Sequence, residues 1–225
     1  MTTQTAGSTL ATATSPEVGR GSVVVVPIGS LEQHGPHLPL DTDTVIAQAV
    51  AAGAAERLGG WCAPPVAYGS SGEHQAFAGT TSIGTPTLAR LVVELVRSLR
   101  YWASEVVLVN GHGGNLEAVR AGVDQLVSEG HAVRAVWCSA PGMDAHAGRA
   151  ETSLMLHLRP DSVRVGLAEA GNTSPLPALM PHLRHGGVAA VSRNGVLGDP
   201  DGATGEEGRQ LLAAMVARAL DGTPA

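Results

Sequence analysis

Two short polar segments in an otherwise weakly charged chain carry residue types that bind metal ions. The first is Gly29-Ser30-Leu31-Glu32-Gln33-His34-Gly35-Pro36-His37, followed at once by Asp41-Thr42-Asp43. The second is Asn110-Gly111-His112-Gly113-Gly114-Asn115. Glu32, His34 two residues on and Asp43 nine further supply a mixed nitrogen and oxygen donor set. Such a set suits zinc, manganese or iron(II), and suits neither calcium nor a thiolate site. A carboxylate shared between two ions would make the centre binuclear. The competing reading is that Glu32 and Asp43 cap a helix starting near Thr42, where the helix dipole favours an anion by about 0.3–1 kcal/mol. Capping is the better account of Asp41, and metal ligation the better account of Glu32, His34 and Asp43 together.

The second segment matches neither the dinucleotide nor the P-loop pattern, because its glycines are wrongly spaced and it lacks lysine. A histidine between glycines at a strand end can reach a metal, and the exposed N–H groups around it can stabilise an oxyanion. A third cluster, His146-Ala147-Gly148-Arg149-Ala150-Glu151, opens a helix. Its spacing lets His146 and Glu151 look into one cleft without sharing a helical stripe. Glu73-His74, in the loop from Tyr68 to Thr80, is a further acid–imidazole pair, expected to support the ligands or face substrate. Ser70, Ser71 and Gly113 lie in loops open enough for an extended peptide. His131, His157, His182 and His185 have no comparable company and are expected at the surface or in the core, with His182 and His185 at a substrate rim as the alternative.

The whole composition narrows the chemistry. The chain has 225 residues, 44% hydrophobic and 15% charged, with a net charge of −6; all 14 basic residues are arginine. Without lysine there is no Schiff base, no P-loop lysine and no carbamylated-lysine metal bridge. The acidic balance argues against a nucleic-acid partner. No apolar run approaches the ~18 residues of a membrane span, and Met1 to Ser15 lacks the basic flank and apolar core of a signal peptide, so a cytoplasmic protein without a membrane partner is expected. Cys62 and Cys138 are far apart and flanked by apolar residues, which predicts two buried reduced thiols. There is no G-x-S-x-G elbow, so a serine hydrolase is disfavoured.

The elements that must position these residues alternate between short β-branched runs and stretches of helical period. That rhythm predicts an α/β fold, a single domain over 21–225 with a mainly parallel sheet flanked by helices, behind a flexible segment 1–20. Strands are expected at Val23–Ile28, Cys62–Tyr68, Val106–Val109 and Ala132–Cys138. Helices are expected at Thr42–Leu58, from Pro86 past Leu99, and at Asn115–Glu129 and Ala147–Leu158. The segment from Gly166 to Asp201 reads as loop with one strand near Val188–Val191, and Thr204 with Glu207 predicts a capping box opening a last helix to Leu220.

Glu32-Gln33-His34-Gly35-Pro36-His37-Leu38-Pro39-Leu40 with Asp43, the Asn110–Asn115 loop, and His146-Ala-Gly-x-x-Glu151-Thr152-Ser153 together resemble the creatininase (creatinine amidohydrolase) family. The resemblance runs from about Pro27 to the last helix. It implies an α/β metalloamidohydrolase with two divalent ions per subunit, assembled as a homo-oligomer, a hexamer in the best-known members. Carried over, Glu32 and His112 would hold one ion, His34 the other, Asp43 would bridge them, and His146 would be the catalytic histidine. Creatinine-hydrolysing members place a tyrosine and a metal-binding glutamate directly after the histidine of the second loop, where this chain has Gly113 and Gly114. Glu151 is then the candidate for the last ligand, or the group that orients His146, and creatinine is not the expected substrate. Ser71, Glu73, His74, Gly113 and Gly114 are the expected substrate contacts.

The tail, Leu183-Arg184-His185-Gly186-Gly187-Val188 with Val191 to Pro200, resembles the mycofactocin-system branch of the family, which trims a modified ribosomal precursor peptide at its C-terminal end. This implies a peptidase acting on that peptide. The alternatives are a hydrolase of a small cyclic amide or formamide, and a non-catalytic metal- or ligand-binding subunit.

Overall fold

The computed structural model describes residues 8–140 and 142–221. Four parallel strands form its sheet: β1 (Val23–Ile28), β2 (Trp61–Cys62), β3 (Glu105–Asn110) and β4 (Val133–Trp137), in the order β2-β1-β3-β4. Between and after them come α1 (Thr42–Leu58), α2 (Thr85–Leu99), α3 (Leu116–Ser128), α4 (Arg149–Leu158), α5 (Leu176–Gly186) and α6 (Gly205–Asp221). β1 and β3 are near-continuous apolar runs because both faces of the sheet are covered. Val25, Val107, Val109 and Val136 point to a layer built from α1, α4 and α6, including Ile46, Val50, Leu154, Met155 and Met215. Val24, Val26, Ile28, Val106 and Leu108 point the other way, against Leu88, Val92 and Val96 of α2 and Ala118, Val119 and Leu126 of α3. This period-two division makes β1 and β3 the rigid floor from which both polar segments start.

Several expectations need correction. The second strand is a two-residue ladder, because Pro64 and Pro65 have no N–H to donate; pairing returns only as a bridge between Val66 and Ile28. Residues 166–201 are not loop with a strand. They contain α5, and Val188–Ala190 is a 3₁₀ turn packed with Leu179 and Leu197 in a small separate apolar cluster. The capping box at Thr204 is half formed. Thr204 Oγ1 accepts the Glu207 N–H at 3.1 Å, while the Glu207 carboxylate turns to Arg149 and Ser153. Asp41 stands at the N-cap of α1 but its carboxylate pairs with Arg159 at 2.9 Å instead of capping. Cys62 is buried, whereas Cys138, just past edge strand β4, is only half-buried; both are free.

Of the segment 1–20, residues 1–7 lie outside the described residues. In the remainder, Thr9 bridges Cys62 and Ser15–Glu17 form a 3₁₀ turn. No helix among the described residues is long and apolar enough to cross a membrane.

Candidate metal centre

From β1 the chain winds to β2 on one side and then, through α2, to β3 on the other. The carboxyl ends of β1 and β3 therefore flank a topological switch point, the crevice where open α/β sheets bind ligands. Ile28 and Asn110 are the last pair of the β1–β3 ladder, and Gly111 N–H donates to the Ile28 carbonyl at 2.8 Å. Both polar segments leave the sheet there, side by side.

Asn115 fastens the surrounding loops. Its fully buried amide donates to the Gly29 carbonyl at 2.9 Å and to Asn110 Oδ1 at 3.0 Å, and its oxygen accepts the Ser70 N–H at 2.8 Å. Asn110 in turn donates to the His112 carbonyl at 2.6 Å.

Asp43 is in the first turn of α1, where the helix dipole favours a carboxylate. Oδ1 lies 3.1 Å from His34 Nε2, and Oδ2 lies 3.2 Å from His112 Nδ1 while accepting the Ser30 hydroxyl at 2.6 Å. The two oxygens of one carboxylate thus face two imidazoles, one from each polar segment. Glu32 is 0% exposed, and neither of its oxygens has a well-formed hydrogen bond. Oε2 is 3.1 Å from His112 Nε2; Oε1 is 3.3 Å from His74 Nε2 and 3.7 Å from His146 Nδ1.

His146 arrives from the far side, held by an antiparallel bridge to Leu197. The chain then turns sharply at Ala147, whose φ of 52° is left-handed, and enters α4. The Ala147 N–H donates to Glu151 Oε2 at 2.6 Å, and that oxygen lies 3.9 Å from His34 Nε2. Three overlapping groups result, each with donor atoms within 4.8 Å of one another: Glu32, His34 and Asp43; His34, His146 and Glu151; Glu32, His74 and His146. His112, Gly113 and Glu151 also line a cleft of about 790 Å³ that runs past Cys138, Arg149 and Asn172.

Of the other residues expected near substrate, Ser71 and His74 are buried inside the cluster instead of lining the cleft, and Glu73 stands beside His112. Gly114 faces Glu73 and His112. His37 is buried against Thr152 at 2.9 Å, and His182 and His185 are exposed.

The electrostatics are those of a buried cluster in which carboxylates and imidazoles shift one another. Burial works against a charged His34, yet Asp43 and Glu151 push its pKa up to about 10. His112 is likewise held well above the ordinary histidine range, burial being outweighed by Glu32 and Asp43. Burial raises Glu151 to about 7, partly offset by His34. His146 goes the other way: burial, with His34 and His74 adding to it, keeps it well below the ordinary range and therefore neutral.

Gln33 was quoted in the first motif without a role, and the structure gives it one. Its Nε2 donates to His74 Nδ1 at 2.8 Å and to the Gly195 carbonyl at 3.0 Å, and its backbone carbonyl accepts from His146 Nε2 at 2.9 Å. Gln33 Nε2 also lies 3.0 Å from His146 Nε2, but its two protons are already given to His74 and Gly195, so the backbone carbonyl places the His146 proton on Nε2 and leaves Nδ1 bare toward Glu32. The partners are 41, 162 and 113 residues away, so no local signal in the sequence marks them.

A buried cluster of carboxylates and imidazoles at the switch point of a parallel α/β sheet, opening on a cleft, defines a metal-dependent amide hydrolase. The chain belongs to the creatininase family: the family profile described as creatinine amidohydrolase matches residues 11–221. A relative from Mycolicibacterium smegmatis, named mycofactocin precursor peptide peptidase, is 56% identical over 200 residues, covering 86% of this chain and 81% of the relative. Among solved structures, a mutant creatininase complexed with creatine superposes with a TM-score of 0.78 at 28% identity, covering 94% of this chain and 95% of that one. A second mutant creatininase, described as the Zn-Zn type, gives a TM-score of 0.73 at 29% identity, covering 89% and 88%.

Proposed function

We propose that this protein is a binuclear metallopeptidase that removes the C-terminal part of a modified ribosomal precursor peptide in mycofactocin biosynthesis. The observation that carries the binuclear reading is Asp43, whose two oxygens face His34 and His112 separately. The residues fit a pair of divalent ions. Glu32 is wholly buried with only imidazoles in reach of its oxygens, His112 Nε2 at 3.1 Å and His74 Nε2 at 3.3 Å, and among the described residues no arginine pairs with Glu32, Asp43, Glu73 or Glu151. A buried carboxylate left that way is costly unless a cation meets it. In this reading Glu32 and His112 would hold one ion, His34 and Glu151 the other, and Asp43 would be shared between them. Zinc, iron(II) and manganese all suit such donors.

When bound, two such ions polarise a scissile carbonyl and lower the pKa of water. This chain's residues do the rest. Asp43 and Glu32 fix the donor geometry, Asn115 and Asn110 hold both loops rigid, and Gln33 orients the two histidines that carry no ligand role. His146 Nδ1, bare and neutral, accepts the proton released in the attack and delivers it to the leaving amine. The cleft is large enough for several residues of an extended peptide, which favours peptide cleavage over hydrolysis of a small cyclic amide or formamide. The test is mass spectrometry of the modified precursor peptide after incubation, beside a panel of cyclic amides and formamides. Scission near the peptide's C-terminus with the panel intact is expected, and the reverse pattern contradicts the reading.

Loading the ions should release protons. In the metal-free protein the pKa of His34 is raised to about 10 and that of Glu151 to about 7, so at pH 7 the first is protonated and the second half so. An ion needs both without their protons. Affinity should therefore climb as pH rises toward 10 and fall toward pH 6. His112, also held well above the ordinary range, must give up a proton too, so calorimetry at pH 7 in two buffers of different ionisation enthalpy should show about two to three protons released per chain; no buffer dependence would contradict the assignment.

A further inference from the structure

The glycine at 114 and the carboxylate at 73 depend on one another. A Cβ at Gly114 would overlap Glu73 Oε1, His112 Nε2 and the Ser70 carbonyl oxygen. The bare position is therefore filled by a carboxylate from elsewhere, reaching in from the 3₁₀ turn Gly72–His74 to stand 3.3 Å from His112 Nε2. The same nitrogen is 3.1 Å from Glu32 Oε2, 3.2 Å from the Ser70 carbonyl and 3.4 Å from the Ser71 hydroxyl; of the two carboxylates beside it, Glu32 is the one a bound ion would draw away, which leaves Glu73 to accept its proton. A backbone carbonyl can only accept, so Nε2 is the nitrogen that carries a proton, and Nδ1, facing Asp43 Oδ2 at 3.2 Å, is the one free to bind an ion.

We propose that Glu73 is a positioning residue of the metal centre: its carboxylate accepts the His112 Nε2 proton and so fixes the tautomer and ring angle that present Nδ1 to the ion shared with Asp43. This places Glu73 behind a ligand, not against substrate. Metal-binding histidines commonly donate their second N–H to a carboxylate in this way, and loss of that partner weakens metal binding by about 10- to 100-fold. Glu73 also sets the charge. With Glu32, Asp43 and Glu151 it brings four carboxylates to one cluster, matching the four positive charges of two divalent ions. The proposal rests on the binuclear reading above.

The test is zinc titration of the full chain after chelation, against a chromophoric competitor, for the parent, E73Q and E73D. Cobalt(II) absorption spectra follow the two sites separately. The parent should bind two ions. E73Q should bind one of them about 10- to 100-fold more weakly and the other within about twofold, with a changed cobalt spectrum at the weakened site. E73D keeps the carboxylate but draws it back by one methylene from His112, and should reproduce that selective loss even if E73Q folds poorly. Unchanged zinc affinities in both variants, with only a raised KM for the peptide, would overturn the proposal and return Glu73 to the substrate side. A parent binding fewer than two ions would overturn the binuclear reading itself.

Discussion

Asp43→Ala should abolish turnover of the precursor peptide and lower the bound metal to less than two ions per chain. Asp43 is the carboxylate whose two oxygens face one imidazole from each polar segment, 3.1 Å from His34 and 3.2 Å from His112. Without it, the remaining donors divide into a Glu32 and His112 pair and a His34 and Glu151 pair with no shared atom. Charge stabilisation by a metal is worth several kcal/mol at the transition state, and each 1.36 kcal/mol is a tenfold rate change, so a loss of about 10³-fold or more is expected. Single-turnover cleavage measured beside metal content checks it. Parent-like turnover with two ions retained would remove Asp43 from the bridging role.

His146→Asn should separate proton transfer from metal binding. Asparagine keeps a donor near the Gln33 carbonyl, which His146 Nε2 meets at 2.9 Å, but offers no titratable nitrogen toward Glu32. Removing a general acid–base group costs about 10²- to 10⁴-fold, so kcat should fall in that range while metal content and KM stay close to the parent's. The sign of the pH effect follows from the low pKa of His146. Burial keeps it neutral through the working range, so the parent's rate should not rise on deprotonation of this group near pH 6.5. A variant that loses its ions as well would show that His146 is a ligand instead.

The parts of this architecture written in local sequence were the most readable. Thr42–Leu58 forms the helix its pattern predicts, and β1 is the buried central strand that the apolar run Val23–Ile28 implies. Glu32, His34 and Asp43 could be grouped because they lie within twelve positions of one another and converge in space. What was not legible depends on contacts across the fold. Glu73 meets His112 only because Gly114 leaves room, and Gln33 reaches His146 only because the Leu197 bridge brings it there. α5 was hidden by its prolines: Pro177 stands in the first turn, where a missing N–H costs nothing, but Pro181 inside the helix reads as a breaker.

The central claim is that one carboxylate joins two ions between the β1 and β3 loops. A crystal structure of the metal-loaded protein, with anomalous diffraction at the metal edge, tests it most directly. Two anomalous peaks about 3.5–4 Å apart are expected, with Asp43 Oδ1 on the ion held by His34 and Glu151, and Oδ2 on the ion held by Glu32 and His112. A single peak, or a pair of peaks with Asp43 touching only one, would contradict it.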